Sequence, residues 1–164
     1  MVINPALILI LLQPLTRGPV PVQPRSVCEV LDQMVVGRDG SASVRGQLIR
    51  TDHGDFLRDP KCNSPIELDG HAYERLIYLA LPGSWLLKKP VPFTLDSAVI
   101  HSVLDAAERN GGNLWVVVSG RLEAFPYGKV TRDGKTMSLG FGPQNASPAQ
   151  LVIQNIAVSE LPAR

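Results

Sequence analysis

Two segments of this chain share the pattern V-x-G-x-L, and this repeat constrains the fold more than any other feature of the sequence. The segments are residues 44–48 and 118–122, and each lies in a run that alternates apolar and polar side chains. Such alternation indicates strands with one buried face, and both glycines fall on that face. Small closed barrels need such sites, because a long strand coils sharply there and a side chain would crowd the interior. The repeat therefore favours a closed β-barrel, with chance similarity between two short motifs as the alternative.

Five strands are predicted from alternation, from apolar runs and from the turn residues that bound them. They cover residues 41–50, 56–58, 74–81, 114–125 and 149–158. The fourth strand has a wholly apolar even face. Its odd face becomes polar at Ser119, Arg121 and Glu123, so we expect that end of the face to be solvated.

Two helices complete the predicted pattern. Ser26 and Glu29 form the S-x-x-E capping box, and apolar residues at helical spacing follow, which predicts a helix over residues 26–36 that is stopped by Gly37. A second helix is predicted over residues 94–110 from an apolar stripe made of Leu95, Val99, Ile100, Val103, Leu104 and Ala107. The predicted fold class is therefore mainly β with two helices (α+β). We expect a five-stranded OB-like β-barrel with a helix between strands 3 and 4 and an extra N-terminal helix.

The chain divides into a short leader and one domain. With 164 residues in total, a single domain is expected. Residues 1–25 are a signal-like leader and Pro-rich linker, and residues 26–164 are the single OB-like domain. The apolar run at residues 6–12 is far shorter than the roughly 20 residues that a membrane-spanning helix needs, so no transmembrane span is predicted.

The leader predicts a periplasmic or secreted location, because a short apolar run followed by a polar or Pro-rich spacer is typical of export signals. Two features depart from that pattern. No Lys or Arg precedes the run, and no A-x-A cleavage site follows it. A first β-strand or a disordered apolar tail is the alternative interpretation.

The only two cysteines are Cys28 and Cys62. In an exported protein such a pair is expected to form a disulfide. Closing a loop of about 35 residues would stabilise the fold by roughly 3–4 kcal/mol in the chain-entropy model. Two buried free thiols in a cytosolic protein are the alternative.

The charge balance and the lack of known functional motifs reduce the number of function classes that fit this sequence. The chain has 16 Lys and Arg against 15 Asp and Glu, and this balance argues against binding of duplex nucleic acid. Asp52, His53 and Asp55 share one turn, where a carboxylate–histidine pair would suit a hydrolase, but these residues are also ordinary turn formers. We find no nucleotide-binding, metal-ligand or catalytic motif, so no catalytic residue, metal or cofactor is predicted.

A candidate ligand surface is predicted at two loops, residues 51–62 and 126–145. In OB folds the loop between the fourth and fifth strands helps to form the binding groove, and basic residues among aromatic ones suit single strands or acidic glycans. The candidate residues in these loops and on the adjoining strand are His53, Arg58, Arg121, Tyr127, Lys129, Arg132 and Phe141. The alternatives are a solvated hairpin for the long loop and, for Phe141, docking on the barrel.

Several short motifs resemble a group of uncharacterised bacterial exported proteins. They are S-V-C-E-V-L (26–31), V-R-G-Q-L (44–48), D-P-K-C (59–62), S-G-R-L-E (119–123) and G-F-G-P-Q-N-A-S-P-A-Q-L-V-I (140–153). The resemblance covers most of residues 26–158. It implies an OB-like domain behind a signal peptide and implies no activity, so it transfers no functional residues.

The sequence therefore predicts a non-catalytic exported OB-like module that binds an envelope protein or polymer. The alternative function is binding of single-stranded nucleic acid or another acidic polymer. In that case Arg45, Arg121, Lys129 and Arg132 would contact the phosphates, and binding would depend strongly on salt.

Overall fold

The structure is a computed structural model that describes residues 23–62, 64–84, 87–89, 97–111 and 114–159. The predicted leader falls on residues 1–25, of which residues 1–22 lie outside the described part. The described helices and strands are, in chain order, β1 (Arg25–Ser26), α1 (Val27–Asp32), β2 (Gly40–Thr51), β3 (Gly54–Arg58), β4 (Ile66–Leu68), β5 (His71–Tyr73), β6 (Leu76–Ala80), α2 (Ser97–Arg109), β7 (Leu114–Ala124), β8 (Gly128–Arg132), β9 (Lys135–Leu139) and β10 (Ala149–Val158). No helix in the described ranges is both long enough and apolar enough to cross a membrane.

Five of the strands form a closed barrel. Their hydrogen-bonded order is β2, β3, β6, β10 and β7, and the pairing of β7 with β2 closes the ring. The closing ladder is antiparallel and runs from Gly40 opposite Leu122 to Leu48 opposite Leu114. Strand β10 is parallel to β6, whereas the other neighbours are antiparallel. The prediction of a mainly β fold with a closed five-stranded barrel and two helices is thereby confirmed.

The barrel core is made of alternate strand residues and one face of each helix. Val44, Leu48, Val116 and Val118 are fully buried, as the period-two pattern of β2 and β7 predicts. The helices contribute further buried aliphatic side chains, which are Val27, Val30, Leu31, Ile100, Val103, Leu104 and Ala107. Each large aliphatic side chain that becomes fully buried stabilises the fold by roughly 1.5–3 kcal/mol.

Both glycines of the V-x-G-x-L repeat lie where a side chain would collide with a neighbour. A Cβ atom on Gly120 would lie 1.9 Å from the carbonyl oxygen of Val152, next to an irregularity in β10. A Cβ atom on Gly46 would lie 2.9 Å from Cγ2 of Val27. Gly120 therefore allows close approach of the β10 backbone, and Gly46 makes room for helix α1.

The first helix begins as predicted and ends early. The Glu29 amide donates to Ser26 Oγ at 3.2 Å and the Ser26 amide donates to Glu29 Oε2 at 2.7 Å, which is the predicted capping box. The prediction of a helix to residue 36 is wrong, because α1 ends at Asp32 and the chain turns towards β2. The Gly37 amide instead donates to the Phe125 carbonyl at 2.6 Å.

Within the described residues the second helix is shorter than predicted, and part of its predicted apolar stripe lies outside the core. It covers Ser97–Arg109, and Leu95 lies outside the described part of the chain. Val99 is 45% exposed, so its assignment to the buried stripe is wrong. The remaining four stripe residues belong to the hydrophobic core, and α2 packs against β2 and β10.

Two short hairpins were not predicted as strands. β4 pairs with β5 around a turn at Asp69 and Gly70, and β8 pairs with β9 around a turn at Asp133 and Gly134. All four turn residues have positive φ, as hairpin turns of this kind require. The second hairpin lies within the loop predicted at residues 126–145.

Candidate functional site

The two loops predicted to bind a ligand meet at the ring of Tyr78. A Cβ atom on Gly54 would lie 2.8 Å from Cε2 of Tyr78, and one on Gly142 would lie 3.0 Å from Cδ2. The Phe56 ring packs edge-on against Tyr78 with centroids 5.4 Å apart. We call this area, formed by Gly54, Phe56, Tyr78 and the loop at residues 141–147, the Tyr78 surface.

The loop at residues 141–147 is held closed at its base. The Phe141 amide donates to the Ser147 carbonyl at 2.7 Å, and the Ser147 amide donates to the Phe141 carbonyl at 3.1 Å. The buried Ser147 hydroxyl accepts from the Tyr78 amide at 3.2 Å and lies 2.6 Å from the Leu76 carbonyl oxygen. The loop is therefore fixed to the first residues of β6.

The backbone inside this loop is strained at two adjacent positions. Gln144 has φ 58° and Asn145 has φ 57°, which places two residues with side chains in the left-handed region. Each such residue costs about 1–3 kcal/mol and persists only where the surrounding structure enforces it. Both side chains are exposed. Strain of this kind is often concentrated at sites that bind ligands.

A cavity of about 320 Å³ opens beside the Tyr78 surface. It is lined by Tyr127, Leu139, Gly140, Gly142, Pro143, Gln144 and Asn145. The Tyr127 ring packs edge-on against the buried Phe141 ring, with centroids 5.7 Å apart. The structure thus brings together two of the predicted aromatic residues, with Tyr127 on the cavity wall and Phe141 beneath it.

Tyr78 and the neighbouring Asp55 both have shifted pKa values. Burial raises the pKa of Asp55, and the positive charge of Arg50 partly lowers it again. Burial also raises the pKa of Tyr78, and the Asp55 carboxylate raises it further. The Tyr78 hydroxyl therefore remains protonated at neutral pH and is available as a hydrogen-bond donor.

We expect the Asp55→Asn variant to gain stability relative to the wild type as the pH rises. The raised pKa means that the folded protein holds this proton more tightly than the unfolded chain, whose carboxyl has the ordinary value of 3.8. The stabilising effect is present below that value and is lost as the pH rises through the folded-state pKa. Urea denaturation of both proteins from acidic to neutral pH measures the difference, with Asp52→Asn as the control for removal of a nearby charge. A variant that instead loses stability with rising pH would mean that the pairing with Arg50, 3.5 Å away, outweighs burial.

Glu123 does not lie on a solvated face, so that prediction is wrong. The side chain is fully buried, and Gln150 Nε2 and the Arg121 guanidinium both donate to its carboxylate. The Lys88 amide also donates to it, at 3.2 Å. These donors offset the cost of burying a charge. Because residues 87–89 cover this end of β7, the alternating pattern alone did not reveal the burial.

The predicted ligand residue Arg121 belongs to this buried group. Besides Glu123, its guanidinium donates to the Lys89 carbonyl at 2.6 Å. Lys88 Nζ donates to Asp39 at 3.2 Å and lies 5.2 Å from the centre of the Phe141 ring. Arg121 therefore holds residues 88–89 against the barrel.

The other predicted residues are spread over the surface. His53 is exposed next to Gly54, and its amide donates to Thr51 Oγ1 at 3.1 Å. Lys129 is exposed on β8, and the Arg132 side chain is 87% exposed at the far end of the same hairpin. Of these three, only His53 adjoins a residue of the Tyr78 surface.

Arg58 lies in a second, more polar cleft. Its Nε donates to Gln47 Oε1 at 3.3 Å, and the cleft also includes Asp59 and Cys62. Cys62 is bonded to Cys28, with Cα atoms 5.6 Å apart, which confirms the predicted disulfide. One Asp59 oxygen lies within 4.8 Å of both sulfurs, but sulfurs bonded to each other do not offer the thiolates that a metal requires.

Comparison with known proteins identifies no relative. No family model, curated protein or solved structure matches this chain. The functional assignment therefore depends on the closed barrel and on the geometry of the Tyr78 surface.

Proposed function

We propose that this protein is a non-catalytic, exported OB-like module that binds a ligand of the cell envelope at the Tyr78 surface. The strand order supports the OB-like assignment. Numbered within the barrel, the order is 1-2-3-5-4 with strand 4 closing on strand 1, and α2 lies between strands 3 and 4 in the chain. This is the arrangement of a five-stranded OB barrel.

The observation that carries the proposal is the meeting of two distant loops at one tyrosine. OB barrels bind ligands on the face of strands 2 and 3, between the loops that join strands 1–2 and 4–5. Here Phe56 and Tyr78 are on strands 2 and 3, Gly54 begins strand 2, and Gly142 is in the loop between strands 4 and 5. The cavity beside them provides the concave shape that small ligands need.

Export is supported by the disulfide and by the resemblance of the sequence motifs. Disulfides persist in oxidising compartments and are rare in the cytosol. The bond joins α1 to the loop after β3, so it is part of the domain itself. An oxidising compartment is therefore the environment in which this fold is most stable.

The alternative function, binding of single-stranded nucleic acid, has less support, because two of the four basic residues that it requires interact with other residues of the protein. The Arg45 guanidinium stacks 4.8 Å from the Trp115 ring centre and also donates to Ser159 Oγ, and Arg121 is bound to buried Glu123. Lys129 and Arg132 remain exposed on the hairpin. Together with Lys135, which is also exposed on this hairpin, they make three cations, which offer little neutralisation for a phosphate chain.

An NMR titration of the full, oxidised chain tests the proposal. The probes are soluble peptidoglycan fragments, neutral oligosaccharides, a sulfated glycan and an oligothymidylate. We expect amide shifts to concentrate at residues 52–56 and 139–147 and binding to persist between about 50 and 200 mM salt. Shifts elsewhere, or none with any probe, would overturn the proposal. The nucleic-acid alternative would be favoured if oligothymidylate were the only probe that binds and if its binding were sensitive to salt. That binding should then be lost in a Lys129→Gln, Arg132→Gln variant.

A further inference from the structure

The size of the cavity beside Tyr127 limits what it can hold. Its volume of about 320 Å³ is near the lower end of the range for ligand sites, which is roughly 300–1,000 Å³. The walls come from the base of the β8–β9 hairpin and from the loop that follows it. A single ring-sized group fits this space, whereas a helix does not.

The chemistry of the lining excludes a charged ligand group. None of the seven lining residues, all within the described chain, has an ionisable acid or base other than the Tyr127 phenol. An ionised group that left water for this cavity would find no opposite charge to offset its desolvation. The ligand group that enters is therefore uncharged.

Several backbone donors of the lining are already used or missing. The Tyr127 amide donates to the Leu139 carbonyl at 2.9 Å, the Asn145 amide donates to the Gly142 carbonyl at 3.2 Å, and Pro143 has no N–H. A peptide that binds through a continuous row of backbone groups therefore meets gaps in this lining. Gln144 and Asn145 also line the cavity, and the carboxamide of each offers both a donor and an acceptor.

We infer that this cavity binds an uncharged sugar ring, one unit of a neutral glycan. An aromatic wall packs against the apolar C–H face of a sugar, and carboxamides pair with hydroxyl groups, which are donors and acceptors at once. The left-handed backbone at residues 144 and 145 limits the directions that the two side chains can take before the ligand arrives, which lowers the entropic cost of binding. This inference rests on the proposed function, because Gly142 belongs both to the cavity and to the Tyr78 surface.

Calorimetry and NMR with defined oligosaccharides test the inference on the full, oxidised chain. The neutral probes are cello-, malto- and chito-oligosaccharides, and the charged probe is an oligogalacturonate. We expect at least one neutral series to bind and to shift the amides of Tyr127 and residues 139–145. Tyr127→Ala should weaken that binding about tenfold, whereas Tyr127→Phe keeps the ring and should change it by less than about threefold.

Glycine variants remove the carboxamides without disturbing the backbone, because glycine adopts positive φ freely. The Gln144→Gly, Asn145→Gly double variant should weaken neutral-sugar binding about tenfold. Asp133→Gly is the matched control, since Asp133 also has a positive φ, of 50°, but lies in the hairpin turn and not in the cavity lining. The Asp133→Gly variant should bind the neutral oligosaccharide as tightly as the wild type.

The outcomes separate this inference from the proposed function. If no neutral oligosaccharide binds, or if one binds to the cavity variants as well as to the wild type, the inference is wrong. If the oligogalacturonate, a peptidoglycan fragment or a sulfated glycan then shifts the Tyr78 surface, the proposed function still holds. If none of the probes shifts that surface, both are wrong.

Discussion

Replacement of Gly120 by alanine should lower the free energy of unfolding by about 3 kcal/mol, near the upper end for overpacking in a protein core. The new Cβ atom would lie 1.9 Å from the Val152 carbonyl oxygen and 2.9 Å from the carbonyl carbon. Those atoms are backbone, so they cannot rotate away as a side chain would. Strands β7 and β10 would have to separate along a ladder of nine residue pairs, beside its irregularity between Ile153 and Asn155. Urea denaturation followed by circular dichroism measures the loss.

Gly40→Ala is the matched control for this prediction. Gly40 also lies in a barrel strand, but a Cβ atom there meets nothing within 4 Å, and its φ is not positive. We expect its stability to stay within about 0.5 kcal/mol of the wild type. Gly46→Ala should fall between the two, because its nearest contacts, Val27 Cγ2 at 2.9 Å and the Arg58 carbonyl oxygen at 3.0 Å, are less close than the 1.9 Å contact at Gly120. Equal losses in the Gly40 and Gly120 variants would show that close strand approach is not the reason for glycine at position 120.

The same glycines show why the barrel was predictable from sequence. Strand residues alternate between the two faces, so the inward position of Gly46 and Gly120 follows from their apolar neighbours at period two. The pattern required no knowledge of distant contacts. The residues that a side chain at these positions would meet could not be predicted in this way. Val27 lies in a helix, and Val152 lies more than thirty positions after Gly120 in the chain.

Short elements and covered surfaces were not predictable in this way. β4 and β5 contain three residues each, too few for a periodic pattern to appear. Glu123 looks like a solvent-facing residue in its strand, and contacts with Arg121, Gln150 and Lys88 remove it from water. The helical pattern after Asp32 is not followed, and the Gly37 amide instead donates to the carbonyl of Phe125, the residue after β7.

Some residues of the candidate site were also predictable from the sequence, and others were not. The loop at residues 126–145 was recognised from its composition, and Tyr127 and Phe141 are indeed in contact there. Tyr78 was not recognised, because it lies in an apolar run and its role depends on Gly54 and Gly142, which only folding brings to it. The positive φ of Gln144 has no local sequence signal, whereas asparagine, as at position 145, adopts the left-handed region more readily than most residues.

Removal of the Cys28–Cys62 disulfide should lower the free energy of unfolding by about 3–4 kcal/mol, the value of the chain-entropy model for this loop. The two residues are 34 positions apart, so the bond restricts a long segment of the unfolded chain. In the folded protein it links the short helix α1 to the loop after β3. The helix also packs against the barrel through Val27, which is fully buried. We therefore expect the Cys28→Ser, Cys62→Ser variant to keep the barrel at room temperature and to unfold at a lower urea concentration.

Reduction provides the control that separates the bond from the cysteines themselves. A thiol reductant should shift the unfolding midpoint of the wild type towards that of the double variant, and it should leave the double variant unchanged. Amide exchange should accelerate most in α1, because six helical residues contribute little stability without tertiary contacts. A wild-type protein whose midpoint is insensitive to the reductant, with both thiols shown by mass spectrometry to be free, would contradict the prediction. It would also remove the disulfide as support for an exported protein.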